Sequence, residues 1–220
     1  MKVSAIIPTF NRSESLIRTV ESFANQKDFK NYEIIVSDNN SSDNTKEKVL
    51  EYIENNPHLK IKYYFEVNQG VHYARNSAAK LAEGEILYFT DDDMEADPYL
   101  LSELIPLFDK EPRLGSATGF VSPIFEVKPP NWVKKNLLNQ YLSVTKLDLP
   151  WVYLISKKEE PLGVYSNHQA IRRKAFFESC GFNPENTKGI WIGDGETGLV
   201  NDLETKNWLF GYTLKSKIFH

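Results

Sequence analysis

Three cycles of a β-prone apolar run followed by a helix-period stretch, all before Gly84, predict an α/β domain with a largely parallel sheet and helices on both faces. Two further observations agree. Pro8-Thr9-Phe10-Asn11, Asp38 and Asp91-Asp92-Asp93 all fall where predicted strands end. The run Ile86-Leu87-Tyr88-Phe89-Thr90 stops abruptly at its three carboxylates. Charges are not buried inside a strand without partners, so they belong at its carboxyl end, where ligands collect in such sheets.

The elements follow in order. Residues 3–7 are β-rich and closed by Pro8-Thr9. From Arg12 the period turns helical, with Leu16, Val20 and Phe23 on one face and Ser13 placed to cap. Residues 32–37 form the next strand, Asp38 follows at once, and residues 39–44 are turn chemistry. Val49, Leu50 and Ile53 mark a second helix. Residues 61–65 read as a third strand, Asn68-Gln69-Gly70 as a turn, and Ala74, Ala78, Leu81 and Ala82 as the small-residue face of a third helix. Beyond Asp93 the pattern loosens into a helix over 98–108 and a strand over 114–121 kinked at Gly119. A strand-like run over 163–170, a helix over 172–179 and a turn opening a helix across 189–203 complete the order. Residues 125–160 carry Pro129-Pro130, Trp132, Tyr141, Trp151 and Tyr153 among basic residues, and read as a smaller lobe over the site.

A chain of 220 residues with 41% hydrophobic and 25% charged residues fits one large soluble α/β domain, or one domain with an appended lobe. The net charge of −4 argues against general nucleic-acid binding. The single Cys180 excludes an intramolecular disulfide and suits a reducing compartment. No apolar stretch approaches the ~18 residues of a spanning helix, so a cytoplasmic location is expected. The chain stops at Lys217-Ile218-Phe219-His220, directly after a strand-like segment, and is expected to continue in the natural protein.

An acidic triplet has two readings: a solvated turn capping the next helix through Asp93 or Asp97, or oxygen ligands for Mg²⁺ or Mn²⁺. What separates them is a set of motifs in fixed order: residues 3–12, 34–39, Asn68-Gln69-Gly70 with Ala74-Arg75-Asn76, Gly84-Glu85-Ile86 leading to Asp91-Asp92-Asp93, residues 167–173 and residues 193–199. Together these resemble the inverting nucleotide-sugar glycosyltransferases of family 2, with the GT-A fold: a Rossmann-like, mostly parallel sheet and a smaller acceptor-side lobe. The resemblance spans nearly the whole chain. It implies one domain over 1–220, with residues 1–121 binding the nucleotide sugar and 122–220 forming the acceptor-binding and catalytic part.

The resemblance also implies roles. Pro8, Thr9, Asn11, Arg12, Asn68 and Gly70 would surround the nucleotide. Asp38 would accept from the N3–H of a uracil or similar base, a charge-assisted bond; without the resemblance it reads as an Asx turn. Asp91 and Asp93 form the Asp-x-Asp pair, with Asp92 between them beside the nucleotide. Asp93, with Asp91 and His220, would hold Mn²⁺ or Mg²⁺ against the diphosphate, and an imidazole favours Mn²⁺. Arg75 would add positive charge near the nucleotide, or form a surface ion pair on its helix. Glu196 stands three residues before Leu199, where the family has the Asp of a Glu-Asp pair, and is ranked first as general base. Gly195 replaces the family's Glu, and Asp194 is the rival. Both also fit an acidic helix start. His58, His72 and His168 fit surface or packing roles, with His168 the most suspect of function.

The expected partners are a nucleotide-diphosphate sugar, uridine first, and a glycan or lipid-linked acceptor, with no nucleic acid. Trp132, Lys134, Lys135, Leu137, Leu138 and Tyr141 suggest an edge for peripheral membrane contact, or apolar packing under the lobe. Two alternatives stand beside this reading. A nucleotidyltransferase would need a glycine-rich loop after the first strand, and residues 8–12 contain no glycine. A non-catalytic nucleotide- or sugar-binding module would need the aspartates but no base.

Overall fold

The computed structural model describes residues 2–125, 127–130, 153–155, 165–184 and 196–220. The strands are β1 (Val3–Thr9), β2 (Tyr32–Asp38), β3 (Ile61–Phe65), β4 (Ile86–Thr90), β5 (Glu95–Ala96), β6 (Leu114–Ser122), β7 (Tyr153–Ile155), β8 (His168–Arg172) and β9 (Leu209–Phe219). The helices are α1 (Ser13–Ala24), α2 (Thr45–Asn55), α3 (Val71–Leu81), α4 (Leu100–Leu104), α5 (Pro106–Lys110), α6 (Arg173–Glu178) and α7 (Glu196–Thr205). Among the described residues the nine strands make one sheet in the order β3-β2-β1-β4-β8-β6-β9-β5, with β7 paired to β9. The block β3-β2-β1-β4 is wholly parallel. Beyond it β8 runs antiparallel to both β4 and β6, while β6 and β9 are parallel.

Period-two alternation divides the core. Val3, Ala5 and Ile7 join Leu16, Val20 and Phe23 of α1 in one apolar cluster. Ile6, Ile35, Leu87 and Phe89 join Ala78 and Ala79 of α3, Phe176 of α6, and Leu199 and Leu203 of α7 in another. Consecutive side chains leave a strand on opposite faces, so apolar residues at every position require helices on both sides.

Several boundaries differ from expectation. Ser13 does not cap α1; it is the helix's first residue, and its hydroxyl donates to Asn44 Oδ1 at 2.8 Å while Arg12 holds the cap position. The helix expected over 98–108 is two short ones, because Pro106 has no N–H to continue the ladder. Among the described residues of the run expected over 163–170, the strand begins at His168, and it extends to Arg172. The kink at Gly119 is present as a register shift: Gly119 pairs with Thr213, but Phe120 with Lys217. A Cβ at Gly119 would stand 2.2 Å from Ser216 O and 2.6 Å from His168 Nε2, so only glycine lets β9 bulge inward here. The short β5 and the pairing of β7 had no local signal. Of the aromatic lobe, residues 126, 131–152 and 156–160 lie outside the described residues, and the suggested membrane edge with them.

Candidate active site

The carboxyl ends of β1 and β4, the turn before α3 and the end of β9 surround a cavity of about 690 Å³. Its wall includes Pro8, Thr9, Arg12, Gly70, Arg75, Asp91, Asp92, Asp93 and His220. Parallel pairing of β1 with β4 brings the Pro8-Thr9 end beside the acidic triplet. Sequence-predicted residues from five segments thus share one cavity.

The three aspartates have different environments. Asp92 is 6% exposed and accepts from Thr9 Oγ1 at 2.7 Å and from Arg12 at 3.2 Å. Burial pushes its carboxyl above the ordinary range, against these two bonds. Asp93 accepts from Arg12 at 2.8 Å, and its Oδ1 lies 3.5 Å from His220 Nε2. The bond to His220 holds its carboxyl low, with Arg12 assisting. His220 is itself fixed by backbone bonds: its N–H donates to Ser122 O and its carbonyl accepts from Ile124 N.

Asp91 accepts from Arg75 Nη2 at 2.5 Å. Arg75 is 4% exposed, so it is no surface ion pair. Its guanidinium lies over the Phe182 ring at 5.4 Å, and Nη1 lies 3.7 Å from Glu196 Oε1. Its buried Nε has no hydrogen-bond partner among the described residues. Arg75 therefore joins the β4 carboxylates to the start of α7, where Glu196 is the first residue. Glu196 Oε1 accepts from the Ser166 hydroxyl, and from Ser166 N at 3.3 Å. Asp194 lies outside the described residues.

The loops beside the ends of β1 and β2 and before α3 are held by asparagines. Asn11, at φ 53°, accepts through Oδ1 from Ser42 N at 2.8 Å and so pins the 39–44 turn to the end of β1. Asn68 bonds through its side chain to Glu66 Oε1 at 2.8 Å. Gly70 adopts φ 141°, which disfavours any side chain, and donates to Asn39 Oδ1 at 2.7 Å. Asp38 is 1% exposed; its Oδ1 accepts from Ser41 N at 2.9 Å in an Asx turn, and its Oδ2 from Tyr63 Oη at 2.7 Å. At this point the cavity wall is Asn39. Asn39 lies within the motif over 34–39, but its bond to Gly70, like the bond of Ser166 to Glu196, spans about 30 residues and is not legible from the sequence.

The remaining histidines separate cleanly. His58 is exposed. His72 is buried and stacks on Phe182 with ring centroids 5.3 Å apart. His168 is fully buried, with Nδ1 2.6 Å from Tyr88 Oη and Nε2 facing Ser216, and burial lowers its pKa to about 4. The suspicion of function for His168 is corrected: it packs the sheet and does not reach the cavity.

Among the described residues no three His, Cys, Asp or Glu side chains form a ready-made metal cage. Asp91, Asp93 and His220 nevertheless line one cavity, and two carboxylates with an imidazole are a donor set that fits Mn²⁺.

The family model described as glycosyl transferase family 2 matches residues 4–181. A β-1,3-glucosyltransferase of Campylobacter jejuni, named for GalNAc(5)-diNAcBac-PP-undecaprenol, is 34% identical over 197 residues, covering 87% of this chain and 59% of that protein. WfgD of Escherichia coli, a UDP-Glc:α-D-GlcNAc-diphosphoundecaprenol β-1,3-glucosyltransferase, is 36% identical over 91 residues, covering 41% of this chain and 34% of its own. S. aureus TarS in complex with UDP-GlcNAc superposes with a TM-score of 0.76 at 19% identity, over all of this chain and 58% of that one. GalNAc-T7 with UDP, GalNAc and Mn²⁺ gives 0.74 at 20% identity, over all of this chain and 43% of that one. The chain thus spans about three-fifths of the length of its Campylobacter relative. With most of its length matched by the family model and its sheet matching that of the solved enzymes, the chain belongs to glycosyl transferase family 2 and has the GT-A fold.

Proposed function

We propose that this domain moves a sugar from a nucleotide-diphosphate sugar, uridine first, to a hydroxyl of a glycan or lipid-linked acceptor, with inversion at the anomeric carbon. The observation that carries this reading is Arg75. One buried guanidinium is paired with Asp91 of the acidic triplet and adjoins Glu196, and it keeps a buried donor, Nε, without a partner among the described residues. A cavity of about 690 Å³ is of the size that holds such a ligand. The named relatives use diphospholipid acceptors, which supports a lipid-linked acceptor and a peripheral position at a membrane; no helix among the described residues is long and apolar enough to cross one.

In the proposed step Glu196 takes the acceptor's hydroxyl proton as that oxygen attacks the anomeric carbon. The bond from that carbon to the diphosphate breaks on the opposite face, and its electron pair leaves with the nucleoside diphosphate. Asp91, Asp93 and His220 would hold a divalent cation, which when bound offsets the negative charge of the leaving diphosphate. Arg12 keeps Asp92 and Asp93 compensated, and Arg75 pairs with Asp91 beside the donor.

A panel of UDP-, TDP- and GDP-sugars with glycan and diphospholipid acceptors tests the reading. Glu196→Gln is expected to bind donor as the parent does while turnover falls roughly 10²–10⁴-fold; Asp194→Asn should be milder. Full turnover by Glu196→Gln would move the base elsewhere, Asp194 first. In calorimetry UDP should bind more tightly with Mn²⁺ than with EDTA, and Asp93→Ala should lose most of that gain. Equal affinities in all these conditions would remove the metal from the reading.

A further inference from the structure

Glu196 is held through one of its two oxygens. Oε1 accepts from the Ser166 hydroxyl and from Ser166 N at 3.3 Å, and lies 3.7 Å from Arg75 Nη1. Among the described residues Oε2 has no such contact. Ser166 is 2% exposed and precedes β8, and Arg75 is 4% exposed on α3, so both partners are fixed by the fold. The grip on Oε1 therefore comes from two separate segments of the chain, the residue before β8 and α3.

A base on a helix's first residue is free to rotate about three side-chain bonds, and only a fraction of its rotamers would meet an incoming hydroxyl. Two hydrogen bonds and a cation on the same oxygen remove that freedom. They also concentrate the compensated charge on Oε1 and leave Oε2 to receive the proton. Because Arg75 also grips Asp91, the same contacts set the distance between the base and the donor-side carboxylates.

We infer that Ser166 is a positioning residue of the transfer reaction: its hydroxyl, with Arg75, orients Glu196 so that Oε2 faces the acceptor. The inference rests on the reading of Glu196 as the base. Ser166 touches neither donor nor acceptor in this account, so its loss acts on kcat and spares donor affinity.

The test uses the donor and acceptor found with the panel above. Ser166→Ala is expected to lower kcat roughly 10- to 100-fold, the scale of a lost charge-assisted bond, with donor KM and UDP affinity within about 2-fold of the parent. In a Glu196→Gln background, the same change should cost less than about 3-fold, since the carboxylate it orients is already gone. If Ser166→Ala does not fold, Ser166→Cys, which keeps the volume with a weak donor, is read in the same way. Unchanged kcat in the serine variant, with turnover lost in Glu196→Gln, overturns the positioning role and leaves the base in place. Equal losses in both backgrounds also overturn it, by assigning Ser166 to packing alone. Full turnover by Glu196→Gln alone would instead sink the underlying reading.

Discussion

The two halves of the sheet differ in how regularly their strands pair and in the kind of polar group they bury. In β1, β2 and β4 parallel pairing is regular, and the buried polar groups Ser4, Thr9, Glu33, Ser37, Asp38 and Thr90 include two carboxylates. In β6, β8 and β9 buried polar groups are interleaved: Ser116, Thr118, His168, Gln169, Thr213 and Ser216. Most are paired across strands or to α4, while Gln169 Oε1 has no partner among the described residues. Gln169 Nε2 donates to Ser116 Oγ at 3.2 Å, Thr118 Oγ1 to His168 O at 2.6 Å, and Ser216 Oγ to Leu100 O at 3.1 Å. In the first half Ser4 Oγ donates to Glu33 Oε1 at 2.6 Å, Ser37 Oγ to Ala74 O at 3.0 Å and Tyr63 Oη to Asp38 Oδ2 at 2.7 Å. Pairs in both halves are costly to leave unmade, but only in the second do they close around a register shift, at Gly119.

The largest effect should come at the bulge that lets those pairs form. Gly119→Val places a side chain against Ser216 O and His168 Nε2, both within 2.6 Å of its Cβ. It is expected to cost more than about 3 kcal/mol in urea unfolding. A loss below about 1 kcal/mol would mean that β9 shifts freely and the pairs are not specific.

Acid distinguishes the halves next. His168 titrates near 6.5 when unfolded but only at about 4 in the fold, because burial disfavours its charged form. Between those values the unfolded chain binds the extra proton, so stability is lost as pH falls through that window. From pH 7 to about 4.5 this should amount to roughly 2–3 kcal/mol. His168→Gln should flatten the profile. In the first half, Glu33 has a lowered carboxyl: burial opposes its charge, but Lys62, Ser4 Oγ and the Glu83 N–H outweigh that. Its contribution is present above the ordinary value of 4.5 and is lost only below it. A profile flat to pH 4.5 in the parent would refute the polar account of the second half.

The smallest effect concerns Asp38, where the two readings of the first half meet. If Asp38 accepts from a pyrimidine N3–H, Asp38→Ala should weaken UDP and TDP alike by about 1–3 kcal/mol. Tyr63→Phe, which removes only the hydroxyl now bonded to Oδ2, should leave both affinities near the parent's. Unchanged affinity in Asp38→Ala would confine Asp38 to its Asx turn with Ser41.

Local pattern sufficed for the alternation of strand and helix and for the position of Asp91-Asp92-Asp93 at a strand end. Those features depend on side-chain period and on the exclusion of charge from a buried strand, and both are written in consecutive residues. Motif resemblance located Arg75 and Glu196 as candidates. That Arg75 is buried between Asp91 and Glu196, that Ser166 holds Glu196, that Asn39 ties Gly70, and that His168 packs against Tyr88 came only with the fold. Partners in these contacts lie between 16 and 121 residues apart in the chain. A polar side chain shows its type in the sequence, but its role is set by which distant partner the closed sheet brings within about 3 Å.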